Sequence, residues 1–182
     1  VWRPVLTFGE AGFDAKLLKA VVKAGFETPT PIQAQALPNI LSGRDVVGIA
    51  KTGSGKTLAF LWPLLVHMCA QRVIEPGEGP IGLVLAPTRE LVTQIHGEAK
   101  RFVKVYGMKS IAVHGGVSKW EQTKALKHGC EVVIATPGRL IDLVKSKATN
   151  LHRVTYLVLD EADRMLDMGF ESQVCARGGA VT

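Results

Sequence analysis

The residues best suited to chemistry are the string Ala50-Lys51-Thr52-Gly53-Ser54-Gly55-Lys56-Thr57. A short apolar run, Asp45-Val46-Val47-Gly48-Ile49, precedes it with the pattern of a buried parallel strand, and Leu58-Ala59-Phe60-Leu61 follows with the pattern of a helix start. Strand, glycine-rich loop and helix in that order make a phosphate cradle. Gly53 and Gly55 let the backbone turn tightly and aim N–H groups inward, and the positive end of the helix adds to the pull on a triphosphate. In such a cradle Lys56 reaches the β- and γ-phosphates and the Thr57 hydroxyl holds Mg²⁺. Ala50 stands where these loops commonly carry their first glycine. A Gly-Ser-Gly turn with a surface lysine explains the glycines, but not the strand, the spacing and the Lys-Thr pair together.

A second chemical group follows the apolar run Tyr156-Leu157-Val158-Leu159: the tetrapeptide Asp160-Glu161-Ala162-Asp163. A carboxylate at the end of a buried strand suits a magnesium ion that keeps most of its waters, which adds Asp160 to Thr57 as a metal-facing residue. Glu161 is placed to orient or deprotonate a water attacking the γ-phosphate. Acidic residues at a helix start are favoured by the helix dipole in any case. Combined with an upstream Gly-Lys-Thr, however, they point to nucleotide hydrolysis, with Lys56, Asp160 and Glu161 as the catalytic set.

These groups need a scaffold that brings them together. Apolar, β-rich runs occur at Gly82–Ala86, Ser110–His114, Val132–Ala135 and Tyr156–Leu159, with helical segments between them, and the run before the phosphate loop predicts a fifth strand. That alternation predicts a parallel sheet with helices on both faces, an α/β fold. Candidate residues then collect at the carboxyl ends of the strands, the edge where such sheets bind ligands. Upstream, Phe13, Leu17, Leu18, Val21 and Val22 recur at helical spacing and Gly25 supplies a stop. Thr30-Pro31 opens a second helix, in which Pro38 predicts a kink or an early break. Glu75–Pro80 reads as a surface loop, and Met165 and Met168 as core positions of a last helix.

The chain has 182 residues, room for one α/β domain, and its 47% hydrophobic content is enough for a real core. Lys, Arg, Gly or Pro interrupts every apolar run, so no segment reads as a membrane span. Cys69, Cys130 and Cys175 form no CxxC pair, and the five histidines have no metal-ligand spacing, which favours a reducing, intracellular setting over a disulfide or zinc scaffold. Residues 100–153 hold eleven basic and three acidic side chains, a net +8 within a chain of +6. That block, with Lys100, Arg101, Lys104, Lys109, Lys119, Lys124 and Lys127, forms either a face for an anionic partner or ordinary solvated helix surfaces.

Asp160-Glu161-Ala162-Asp163 is the signature tetrapeptide of the DEAD-box ATP-dependent RNA helicases, and nearly the whole chain resembles their first RecA-like domain. The resemblance implies a three-layer RecA-like P-loop fold and an ATP- and Mg²⁺-dependent hydrolase that binds RNA and separates short duplexes or remodels RNPs. Phe8 followed by Gly25-Phe26-Glu27-Thr28-Pro29-Thr30-Pro31-Ile32-Gln33 resembles the family's Q motif, which implies that Gln33 reads the adenine edge and Phe8 stacks on the ring. Pro87-Thr88-Arg89, Gly115-Gly116 and Thr136-Pro137-Gly138-Arg139 resemble its RNA-contacting motifs, which address backbone and 2′-OH groups and so carry little sequence preference. Asp163 is implied to couple the ATP site to a later motif. The resemblance divides the chain into a Q-motif extension (1–35), a partial RecA-like ATP-binding domain (36–174) and an atypical tail (175–182). The tail, together with a first residue of Val1 rather than Met, predicts an incomplete N-terminal portion with little RNA-stimulated ATPase by itself. The alternative is a truncated, non-catalytic product acting as a weak nucleotide- or RNA-binding module or a decoy. Ala148-Thr149-Asn150-Leu151 and Arg164–Val174 are closest to nuclear, splicing-associated members, which suggests a nuclear location and RNP or spliceosomal partners.

Overall fold

Four of the apolar runs become strands, and they do so as a parallel set. The computed structural model describes residues 2–169. The strands are β1 (Gly82–Leu85), β2 (Ser110–Val113), β3 (Val132–Ala135) and β4 (Tyr156–Leu159), in the order β2-β3-β1-β4, every pair parallel. The helices are α1 (Ala15–Lys23), α2 (Pro31–Leu41), α3 (Lys56–Cys69), α4 (Arg89–Val103), α5 (Lys119–Lys127), α6 (Pro137–Lys145) and α7 (Ala162–Asp167). Alternate strand residues serve opposite faces, as the pleat requires. Val84, Val132 and Ile134 pack under α1, α3 and α4, whereas Leu83, Leu85, Val133 and Ala135 pack against Leu126 of α5, Leu140 and Leu143 of α6 and Met165 of α7. Helix, sheet and helix are thus the three layers of the expected α/β fold. The tail and the run from Phe170 onward lie outside the described residues.

Trp62 centres the first layer. It is fully buried and meets Phe8, Phe13, Phe26 and Phe102 edge to face, with ring centroids 5.1, 5.9, 5.5 and 5.8 Å away. Edge-to-face pairs of this kind add to the area they bury, so the N-terminal segment and α3 share one core. Pro38 does not break α2, which runs on to Leu41. A proline leaves the carbonyl four residues back without its helical donor, and here the Ala34 carbonyl accepts from the Val5 N–H at 3.0 Å instead. The missing hydrogen bond is replaced by one that pins the N-terminal strand of chain.

The expected fifth strand is absent. Asp45–Ile49 forms no ladder with any described strand; Val47 is 92% and Ile49 93% exposed. An extended segment becomes a strand only when a neighbour pairs its N–H and C=O groups. Among the described residues no strand pairs with the outward edge of β4. Met165 is buried as expected, but Met168 is 51% exposed, because it falls beyond the end of α7 and off its inward face. The Glu75–Pro80 loop is tied down by Glu78, which accepts from Arg72 and, at 2.8 Å, from Arg153 just before β4. These bonds and the Glu75 N–H hold the Glu78 carboxyl down to about 2.

Candidate functional site

The phosphate loop is built from the core outward. Leu58, Ala59, Leu61, Trp62, Leu64, Leu65 and Met68 bury one side of α3 and fix its axis. Its first turn therefore presents free amides at a set place, and Gly55 caps it at φ 89°. Lys56 turns back over the loop of residues 50 to 57: its Nζ donates to the Ala50 carbonyl and, at 3.3 Å, to the Lys51 carbonyl. The ammonium thus sits among the loop's own oxygens. The Ser54 hydroxyl is buried without a partner. A polar atom orphaned inside a ring of amides is what an oxyanion would satisfy, so the loop fits a phosphate group.

Gln33 meets the same loop from the other side. It is 1% exposed; its Oε1 accepts from the Thr30 N–H at 3.0 Å, and its Nε2 donates to the Gly55 carbonyl at 3.1 Å. A Cβ on Gly55 would come within 2.6 Å of Nε2, so only glycine lets the amide approach. The amide thereby braces α2 against the phosphate loop. Phe8 is 3% exposed and packs edge to face on Trp62, within the core.

Asp160 and Glu161 arrive on β4. The ladder continues one residue past the strand, Asp160 N–H to the Leu85 carbonyl at 2.9 Å, and this places the carboxylate at the carboxyl edge. Burial pushes the Asp160 carboxyl above its ordinary value; the Glu161 N–H and the Lys56 charge pull it the other way, and the Glu161 charge adds to the rise. Lys56 and Asp160, distant in sequence, are thus within electrostatic reach of each other. Glu161 has φ 52° and ψ 49°, a left-handed conformation rarely tolerated by a long side chain, and Arg164 reaches its carboxylate at 3.2 Å. Backbone strain of this kind concentrates where a side chain must be aimed. Thr57 is half-buried in the first turn of α3, and Asp163 is exposed in the first turn of α7. Among the described residues no three His, Cys, Asp or Glu side chains cluster as a closed metal site. Asp160 with the Thr57 hydroxyl suits an open site completed by water and phosphate oxygens.

The remaining motifs line the same edge. Arg89, Gly115, Gly116 and Gly138 are exposed, and Thr88, Thr136 and Arg139 half-buried. Thr88 caps α4, accepting from the Leu91 N–H at 3.3 Å, whereas Thr136 begins α6 without a side-chain cap. Pro87 and Pro137 are buried and shape the turns beneath these exposed groups. The basic block does not form one face. Arg89 opens α4 at the carboxyl edge, but Lys100, Arg101 and Lys104 lie at the far end of this 15-residue helix, about 20 Å away. Lys109 precedes β2 on that opposite edge. Sequence reading passed over Gln122 and Arg164. Gln122 carried one usable signal, an amide in line with Leu126 on the inward side of a short helix.

Comparison with known proteins agrees with this geometry. The DEAD/DEAH box helicase profile matches residues 30–179. The ATP-dependent RNA helicase DDX42 of Gallus gallus is 60% identical over 94% of the chain, which spans 18% of that relative. DEAD-box ATP-dependent RNA helicase 24 of Oryza sativa is 61% identical over 94% of the chain and 22% of its own length. The chain thus spans about a fifth of the length of these relatives. Among solved structures, the yeast DEAD-box splicing factor Prp28 superposes with a TM-score of 0.92 at 40% identity, over all of this chain and 44% of that one. Prp28 from Chaetomium thermophilum, solved with ADP, gives 0.90 at 43% identity over 97% of this chain and 43% of its own.

Proposed function

The chain belongs to the DEAD/DEAH box helicase family, and from that premise we propose that it is the ATP-binding, RNA-contacting unit of an ATP-dependent RNA helicase. The observation that carries this reading is the phosphate loop, where Lys56 turns back onto the Ala50 and Lys51 carbonyls beside a buried Ser54 hydroxyl that has no partner, with Asp160 at the carboxyl end of β4 on the sheet edge where such loops bind. On binding ATP, Lys56 exchanges the Ala50 and Lys51 carbonyls for phosphate oxygens. Thr57 and Asp160 are the residues that would hold Mg²⁺, which would supply neutralisation of the charge that develops on the triphosphate. Glu161 orients a water and takes its proton as that oxygen bonds to the γ-phosphorus and the bond to ADP breaks. Gln33 and Phe8 shape the adenine side from beneath, by holding the loop and the core. Thr88, Arg89, Gly115, Gly116, Thr136, Gly138 and Arg139 contact an RNA backbone, and Asp163 relays between the two sites. Local duplex separation or RNP remodelling, nuclear location and spliceosomal partners are supported by the likeness to Prp28, described as a splicing factor.

Calorimetric titration tests the ATP site. Lys56→Ala is expected to weaken ATP binding by about a hundredfold or more, the loss of charge-assisted bonds to phosphate. Glu161→Gln is expected to keep ATP affinity and, in a full-length RNA-stimulated assay, to lower turnover by about a hundredfold to ten-thousandfold. Unchanged ATP affinity in Lys56→Ala would remove the phosphate cradle from the proposal.

A further inference from the structure

We propose that Gln122, which lies in none of the motifs above, is a positioning residue that locks the RNA-facing loops of the carboxyl edge into one surface; the proposal rests on the RNA-binding reading of that edge. Gln122 sits on α5 and is 6% exposed, one of three polar side chains buried among the described residues. A buried amide is costly unless both its donor and its acceptor are used. Gln33 meets that demand at the phosphate loop, and Asn39 meets it against the Gln35 carbonyl and the Trp2 N–H. Gln122 meets it between two loops. Its Nε2 donates to the His114 carbonyl at 3.0 Å, and its Oε1 accepts from Arg139 Nη1 at 3.3 Å. The same Nη1 donates to the Val117 carbonyl at 3.2 Å.

His114 and Val117 bracket the glycine pair, so Gln122 and Arg139 grip the loop on both sides of it. From the third side, the Arg89 guanidinium lies over Gly116: a Cβ there would come within 2.6 Å of its Nη1. Gly116 stands at φ 80°, and both glycines are exposed. Two bare glycines have the widest backbone freedom in the chain, and a loop that must match a sugar–phosphate spacing cannot keep that freedom. The starts of α4, α5 and α6 therefore meet through one clamped turn. The position demands a side chain that donates and accepts at once, which an amide provides and a carboxylate or an alkyl group does not. Arg139 gains a second role: through Nη1 it holds the loop that its neighbours Thr136 and Gly138 must face in register.

Four proteins test this: the wild-type chain, Gln122→Leu, Arg139→Ala and the double variant. Amide hydrogen exchange over residues 114–118 reads the clamp, and fluorescence anisotropy with a labelled oligouridine reads the surface; ATP affinity is the control. Gln122→Leu is expected to speed exchange in that loop and to weaken RNA binding, each by about tenfold, with ATP affinity unchanged. Because Gln122 and Arg139 grip the same loop and share one hydrogen bond, the double variant should lose less than the sum of the two single losses, whereas two unconnected defects would add. Additive losses, or a loop whose exchange does not change in Gln122→Leu, overturn the proposal. Gln122→Met, matched in length, takes its place should the leucine variant fail to fold. If the wild-type chain binds no RNA, the functional reading of the edge falls, while the exchange measurement still decides whether the clamp exists.

Discussion

Asp160 shows how a single residue records its purpose in its chemistry. Burial holds its carboxyl above the ordinary 3.8. A carboxyl raised in this way stabilises the fold while protonated, and that stability is lost as pH rises from the ordinary value through the folded one. Asp160→Asn is therefore expected to be more stable than the wild type at neutral pH in the absence of nucleotide, with an advantage that shrinks as pH falls toward 3.8. Chemical denaturation across that range measures it, and a less stable Asn variant at pH 7 would contradict the burial argument. Magnesium and ATP should reverse the order, since the cation favours the ionised form. Glu161 shows the same trade in its backbone, where φ 52° is tolerated to aim one carboxylate.

Single elements differ in how far they depend on neighbours. The helices and β1–β4 carry their own patterns, and each of these strands formed within a residue of its expected limits. Asp45–Ile49 has as good a strand composition as any of them, yet it is solvent-exposed and unpaired. Strand propensity describes a fit to a pleated, half-buried surface rather than a backbone preference, so composition alone could not decide the matter. Amide hydrogen exchange should separate the two cases: residues 45–49 exchanging near the free-peptide rate, and β1 and β3 protected by several orders of magnitude. Protection of 45–49 equal to that of β1 would mean that the segment is paired. Pro38 makes the complementary point. The local rule predicts a break, and α2 continues because a distant N–H, that of Val5, takes the carbonyl the proline abandons.

At the scale of the molecule, Asp45–Ile49 and β4 carry much exposed apolar surface. Val46, Val47, Ile49, Leu157 and Leu159 are 41, 92, 93, 39 and 38% exposed, and among the described residues the outer edge of β4 has no partner strand. Open edges and apolar patches of this kind recruit further chain. The 182-residue chain is expected to self-associate at micromolar concentration, as sedimentation velocity would detect, and Val47→Lys with Ile49→Lys to keep it monomeric. A wild-type chain that stays monomeric at high concentration would show that this surface is covered in solution.

Sequence alone pointed to the chemistry, because Lys56-Thr57 and Asp160-Glu161 are residue types suited to phosphate and metal, and the apolar periodicities announced the layers that carry them. Tertiary structure decided what periodicity cannot encode, namely which polar groups meet. It committed Gln33 to the phosphate loop, drew Phe8 into the ring of aromatics around Trp62, divided the basic block between two edges of the sheet, and made Gln122 a bridge. Hydrogen bonds and rim charges take their meaning from partners far along the chain, and those partners are fixed only when the strands take their order.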